Sequence, residues 1–87
     1  MENTVYLLLS KKDLRTYVGS TDNIERRFQE HMSGKVHSTK NRRPLELIYQ
    51  EKFPSLSEAR VREKYLKTKM GRKELKIIFE KLNLNNL

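Results

Sequence analysis

At 87 residues the chain has room for one small domain, and a domain of this size buries only about 60% of the surface that its unfolded form exposes, so its core has to be small. Hydrophobic residues supply 36% and charged residues 34%, and the absence of cysteine excludes a disulfide framework or a thiolate metal site and fits a cytoplasmic protein. A formal charge of +8 implies a polyanionic partner, because clustered Lys and Arg gain affinity by releasing counterions from phosphates.

The apolar run Val5 to Leu9 is too short for a signal-peptide core or a membrane span, and Lys11 and Lys12 follow it directly. Thr4 to Leu9 is rich in β-formers and reads as a buried strand. Ser10 to Leu14 supplies a polar turn, and Arg15 to Gly19 reads as the return strand of a hairpin. A turn centred between Lys11 and Lys12 would set Tyr6 opposite Tyr17.

Asp22, with Glu25 three residues later, predicts the N-cap of a first helix. Ile24, Phe28 and Met32 form its apolar stripe, and Gly34 stands where a left-handed cap ends it. Lys35 to Arg43 carries basic residues, no acid and little periodicity, and reads as an exposed loop. Leu45 to Phe53 alternates as a third strand, with Leu45, Leu47 and Tyr49 on one side. Ser55 with Glu58 announces a second helix running to about Met70, with Gly71 as its stop. Leu75, Ile78, Phe79 and Leu82 keep the spacing of a third helix, and residues 83–87 read as a frayed tail. The order strand, strand, helix, strand, helix, helix gives an α+β fold, a small mainly antiparallel sheet with helices packed on it, as a single domain over 1–87 with its core at about 4–79. No basic amphipathic helix with a broad apolar face is evident, so no membrane contact is expected.

Glu63 is the anomaly. On a helical wheel it falls among Leu56, Ala59, Leu66 and Met70, where an ionised carboxylate is expensive without a cation beside it. A structural ion pair with a nearby Arg or Lys and a divalent-metal site both answer that need. Arg27 and His31, neighbours at i, i+4, flank the apolar stripe of the first helix while Arg26 projects from the far side. They suit either a phosphate cradle or a snorkelling arginine beside a satisfied histidine. Tyr6 and Tyr17 read as a cross-strand aromatic pair, and become candidates for a general base only where metal and cationic neighbours stabilise phenolate. Lys35, Lys40, Arg42 and Arg43, and the basic run from Arg60 to Lys76, are nucleic-acid contacts or solvated faces.

Together these residues resemble a known family. Val5 to Leu7 (VYL) and Tyr17 to Gly19 (YVG) are similar to the two tripeptides that name the GIY-YIG nucleases; ERRFQEH and REKYLK follow in the family's order. The resemblance spans about Thr4 to Phe79 and is greatest for the small stand-alone branch, similar to the nuclease module of excision-repair and intron-encoded enzymes. It implies a metal-dependent endonuclease of repair or recombination acting on DNA rather than RNA, as a monomer or weak dimer, with a partner protein for targeting. In that pattern Glu63 binds one Mg2+ or Mn2+, Arg27 neutralises the phosphoryl oxygens, and Tyr6 or Tyr17 activates the attacking water. His31 would help Tyr6 lose its proton, and Gly19 would let the backbone turn closely beside the site. The first tripeptide keeps only its tyrosine, and Asn83, Asn85 and Asn86 are candidates by type for an asparagine that some members use. The alternative is a nucleic-acid-binding module that retains the fold without turnover.

Overall fold

The computed structural model describes residues 3–84. Its elements are β1 (Asn3–Ser10), β2 (Thr16–Thr21), α1 (Ile24–Met32), β3 (Leu45–Phe53), α2 (Leu56–Leu66) and α3 (Lys69–Leu84), with a 3-10 turn at Lys40–Arg42. The strands form one antiparallel sheet in the order β2-β1-β3, so the apolar first strand lies in the middle and β2 has a free outer edge. This is the α+β arrangement that the sequence implies.

Alternation along β1 divides the core in two. Val5 and Leu7, with Val18 of β2, pack on Ala59 and Leu66 of α2 on one face. Tyr6 and Leu8 face the other way, where Tyr17, Leu45 and the α1 residues Ile24 and Phe28 pack against them. Helix α1 thus covers one face and α2 the other.

The hairpin register departs from expectation by two residues. Tyr6 faces Gly19, and Leu8 faces Tyr17. The turn is longer than two residues because Ser10 Oγ accepts from the amides of Lys12 and Asp13, and Leu14 returns the chain with φ 60°. The expected face shared by Leu45, Leu47 and Tyr49 is also broken. An irregularity at Ile48 pairs Leu7 with Tyr49 and Leu8 with Leu47, so Tyr49 turns to the α2 face.

The cap of α1 is Asn23, not Asp22. Asn23 has the extended backbone that a cap needs, and its side chain accepts from Arg26 N at 3.0 Å. Asp22 instead pairs with the Arg26 guanidinium at 3.1 Å. The inward place at the helix end belongs to fully buried His31, whereas Met32 is exposed. Gly34 (φ 80°) does terminate α1: its amide donates to His31 O and that of Lys35 to Glu30 O, a Schellman pair.

Ser55 caps α2 as expected, accepting from Glu58 N at 3.2 Å. The helix stops at Leu66, however, and Gly71 lies inside α3 rather than ending α2. A Cβ at Gly71 would stand 2.5 Å from Leu66 Cα, so glycine is what lets the first turn of α3 press against the end of α2. Met70 accordingly lies on α3 and is exposed, outside the stripe predicted for Glu63. Asn83 and Leu84 continue the backbone of α3, against a tail beginning at 83; the side chain of Asn83, and Asn85 and Asn86 entirely, lie outside what the structure describes.

Candidate active site at the free edge of β2

Four of the expected residues meet on the α1 face of the sheet. The Tyr6 hydroxyl and His31 Nε2 are 2.9 Å apart, and His31 Nδ1 lies 2.7 Å from Thr39 Oγ1. The Tyr17 ring stands edge-on to His31 at 5.3 Å and 6.4 Å from the ring of Tyr6. The Arg27 guanidinium sits against the Tyr6 phenol and pairs with Glu30 at 3.1 Å. Tyr6 and His31 are buried, Tyr17 and Arg27 half-buried.

Gly19 explains how the Tyr6 oxygen reaches the edge strand. The phenol lies where a side chain at Gly19 would be, with a built Cβ only 2.5 Å from Tyr6 Cζ. The turn expected at Gly19 is absent, since β2 runs on to Thr21; glycine is needed there for the space that the Tyr6 phenol fills, not for an unusual φ.

Glu63 approaches β2 from the opposite, α2 face. Ser20 Oγ donates to its Oε1, and Lys67 Nζ donates to its Oε2 at 2.7 Å. The same ammonium lies 6.0 Å from the centre of the Tyr17 ring. Lys67 thus joins the two halves of the cluster around the edge of β2. Glu63 is half-buried, and of the two answers to a carboxylate in the apolar stripe the ion pair is present, supplied by Lys67.

Burial sets the protonation of the free site. It pushes the Tyr6 hydroxyl up to about 12, with Arg27 pulling in the opposite direction. Burial, and then the positive charge of Arg27, pushes His31 down to about 4, so its imidazole is neutral at pH 7.

Three contributors were not singled out in the sequence. Lys67 stands four residues after Glu63, a spacing that signals a helix-face ion pair. Ser20 directly follows the YVG tripeptide, and its side chain alternates away from Gly19 toward α2 because β2 continues to Thr21. Thr39 gave no periodic signal; it is fully buried in what the sequence presents as an exposed loop, with Val36 buried beside it. Of the four loop cations, Lys35 and Lys40 are exposed. Arg42 pairs with Asp13 at 3.1 Å, and Arg43 donates to Lys40 O and Met32 O across Gly34. In the second basic run, Arg62 is engaged by Glu51 at 2.8 Å and by Glu74.

Comparisons with known proteins identify the family. A family model described as the GIY-YIG catalytic domain matches residues 2–76. The chain is similar to a UPF0213 protein of Staphylococcus haemolyticus, 46% identical over 71 residues that cover 80% of this chain and 87% of the relative. It is 37% identical to the UPF0213 protein YazA of Bacillus subtilis over 93% of this chain and 83% of that one. The solution NMR structure of a UPF0213 protein from Bacillus halodurans matches with a TM-score of 0.54 and 33% identity, covering 90% of this chain and 85% of the other. This chain belongs to the GIY-YIG family and has the fold of its nuclease domain.

Proposed function

We propose that this protein is a divalent-metal-dependent endonuclease that hydrolyses phosphodiester bonds of DNA, one strand at a time. The observation that carries the reading is the position of the Tyr6 hydroxyl, between His31 and Arg27 and beside the β2 edge that Glu63 reaches from the other face.

Members of the family generally use a divalent metal. Among the described residues no group of three or more His, Cys, Asp and Glu could enclose an ion. Glu63 alone suits Mg2+ or Mn2+, because Mg2+ keeps several waters and takes one or two carboxylates together with substrate phosphate oxygens. Glu63 Oε2 already holds a positive charge, the ammonium of Lys67, so the carboxylate has the character a cation requires. When bound there, the ion would polarise the scissile phosphate and stabilise the leaving oxygen.

The side chains supply the rest. Arg27 would meet the charge that develops on the phosphoryl oxygens. We assign Tyr6 rather than Tyr17 as the general base, since a proton acceptor and a guanidinium both address its oxygen, whereas Lys67 lies over the ring of Tyr17. His31 Nε2, 2.9 Å from the Tyr6 oxygen, is positioned to accept the Tyr6 proton, a transfer that burial opposes at both groups and that Arg27 and a bound cation would have to favour by stabilising the phenolate. The phenolate then takes a proton from water as the hydroxide oxygen attacks phosphorus, and the leaving alkoxide is protonated by solvent. Glu63 would hold the ion through the carboxylate that Lys67 now pairs with at Oε2.

A repair or recombination role in the cytoplasm, with a partner protein for targeting and Lys35, Lys40, Arg42 and Arg43 touching DNA backbone, fits the basic charge and the cysteine-free chain. A single such site, in a monomer or weak dimer, nicks DNA rather than severing both strands. The second reading, a DNA-binding module without turnover, is favoured by the Lys67–Glu63 ion pair and by the burial of Tyr6. Incubating purified protein with branched, nicked and flapped DNA in Mg2+ or Mn2+ separates the two. Cleavage that EDTA abolishes supports the enzyme, and salt-sensitive binding without cleavage supports the module.

A further inference from the structure

Beside the catalytic cluster an open groove of about 620 Å³ lies between β2 and the α2–α3 corner. Its floor is apolar, made by Val18, Leu66, Leu75 and Phe79, and Tyr17 forms the end nearest the cluster. Arg15, Lys67, Arg72 and Lys76 also line it, and none of its lining residues is acidic. At its mouth Leu14 holds φ 60°, a region that a residue with a side chain adopts at a cost, and leaves 71% of its surface exposed. An apolar floor ringed by cations selects an occupant with a flat apolar body and anionic linkages.

We infer that this groove binds a single-stranded segment of nucleic acid, with an unpaired base against Phe79 and its phosphates on Arg15, Arg72 and Lys76. A duplex cannot fill it without melting, because paired bases hide their faces in the stack and extruding one costs a few kcal/mol. Base-on-aromatic contact, with backbone cations alongside, is how proteins hold single strands without reading sequence. Tyr17 and Lys67 belong to both the groove and the catalytic cluster, so a strand lying in the groove leads its neighbouring phosphate toward Glu63 and Arg27. The inference rests on the endonuclease reading for that direction, and it makes the substrate an unpaired stretch next to the bond that is cut.

The test is a fluorescence-anisotropy titration in EDTA, so that turnover plays no part, with a short oligothymidylate and a duplex of equal length. The single strand should bind at least about fivefold more tightly. Phe79→Leu keeps an apolar side chain and should weaken the single strand about fivefold or more while leaving duplex affinity unchanged, and Phe79→Tyr should restore it. Arg72→Gln with Lys76→Gln, both at exposed positions, should weaken single-strand binding and flatten its salt dependence, and stands as the test if Phe79→Leu fails to fold. Equal affinity for both DNAs, or single-strand binding unmoved by the Arg72 and Lys76 changes, would overturn the inference. Cleavage by a protein that binds both DNAs equally would sink the groove and spare the nuclease, whereas selective binding without metal-dependent cleavage would do the reverse.

Discussion

The hydroxyl of Tyr6 and Nε2 of His31, 25 residues apart in the chain, lie 2.9 Å from each other in the interior, and the imidazole is held neutral there. Tyr17 and Thr39 also face the ring, and Arg27 and Glu30 are the charges that act on it. Folded His31 titrates near 4 against 6.5 for an ordinary histidine, so the unfolded chain binds the extra proton between those values. Its contribution to stability is complete above about pH 6.5 and is lost as the pH falls toward 4, by at most about 3 kcal/mol. Urea unfolding of wild type and His31→Gln at a series of pH values checks this. The gap between them should narrow over that window; a constant gap would contradict the neutral imidazole.

Gly19→Ala should damage the site through Tyr6. The new methyl would stand 2.5 Å from Cζ of the Tyr6 ring, which is itself buried. Overpacking of this kind costs about 1–3 kcal/mol. We expect a lower urea midpoint, and a loss of cleavage larger than the loss of stability accounts for at temperatures where the variant stays folded.

Lys67→Ala should tighten metal binding. Its ammonium occupies Glu63 Oε2 but is half-exposed, and an exposed pair contributes at most about 1 kcal/mol, so the metal's dissociation constant should fall by up to about fivefold. Titration with Mn2+ followed by electron paramagnetic resonance measures it. Weaker binding in the variant would mean that Lys67 positions Glu63 rather than competing for it.

Arg62 ties β3 to α3 through two carboxylates. It bridges Glu51 of β3 and Glu74 of α3, lies 5.6 Å from the centre of the Tyr65 ring, and keeps the Glu51 carboxyl below its usual range. Arg62→Ala leaves two carboxylates without their cation and should cost about 2 kcal/mol, lowering Tm by about 10 °C in a domain this small. DNA affinity measured well below that Tm should be unchanged.

Much of this architecture is legible in the sequence because it depends on local signals. The apolar run of β1, Ser55 as a cap and Gly34 as a stop each act within one turn or strand. What the sequence hides depends on three dimensions. The hairpin register follows from a turn closed by the Ser10 hydroxyl, and Gly71 is required by the press of α3 on Leu66, not by a helix end. In the site, Tyr6, Tyr17, Arg27 and His31 do come together, while the partners of His31 and Glu63 stay hidden. Thr39 lies in a segment without periodicity, and Ser20 falls just past Gly19, where the return strand is expected to end.

The central claim is that Glu63 is a metal ligand rather than only half of an ion pair. The direct measurement is the cleavage rate of flapped DNA in Mg2+ by wild type and Glu63→Gln, taken beside the binding affinity of both proteins in EDTA. Glutamine keeps the shape and an oxygen for Ser20 but has no charge for a divalent ion. The account predicts cleavage reduced by at least about a hundredfold with DNA affinity within about twofold of wild type. Equal rates for the two proteins, or no cleavage by wild type on any DNA with either metal, would contradict it.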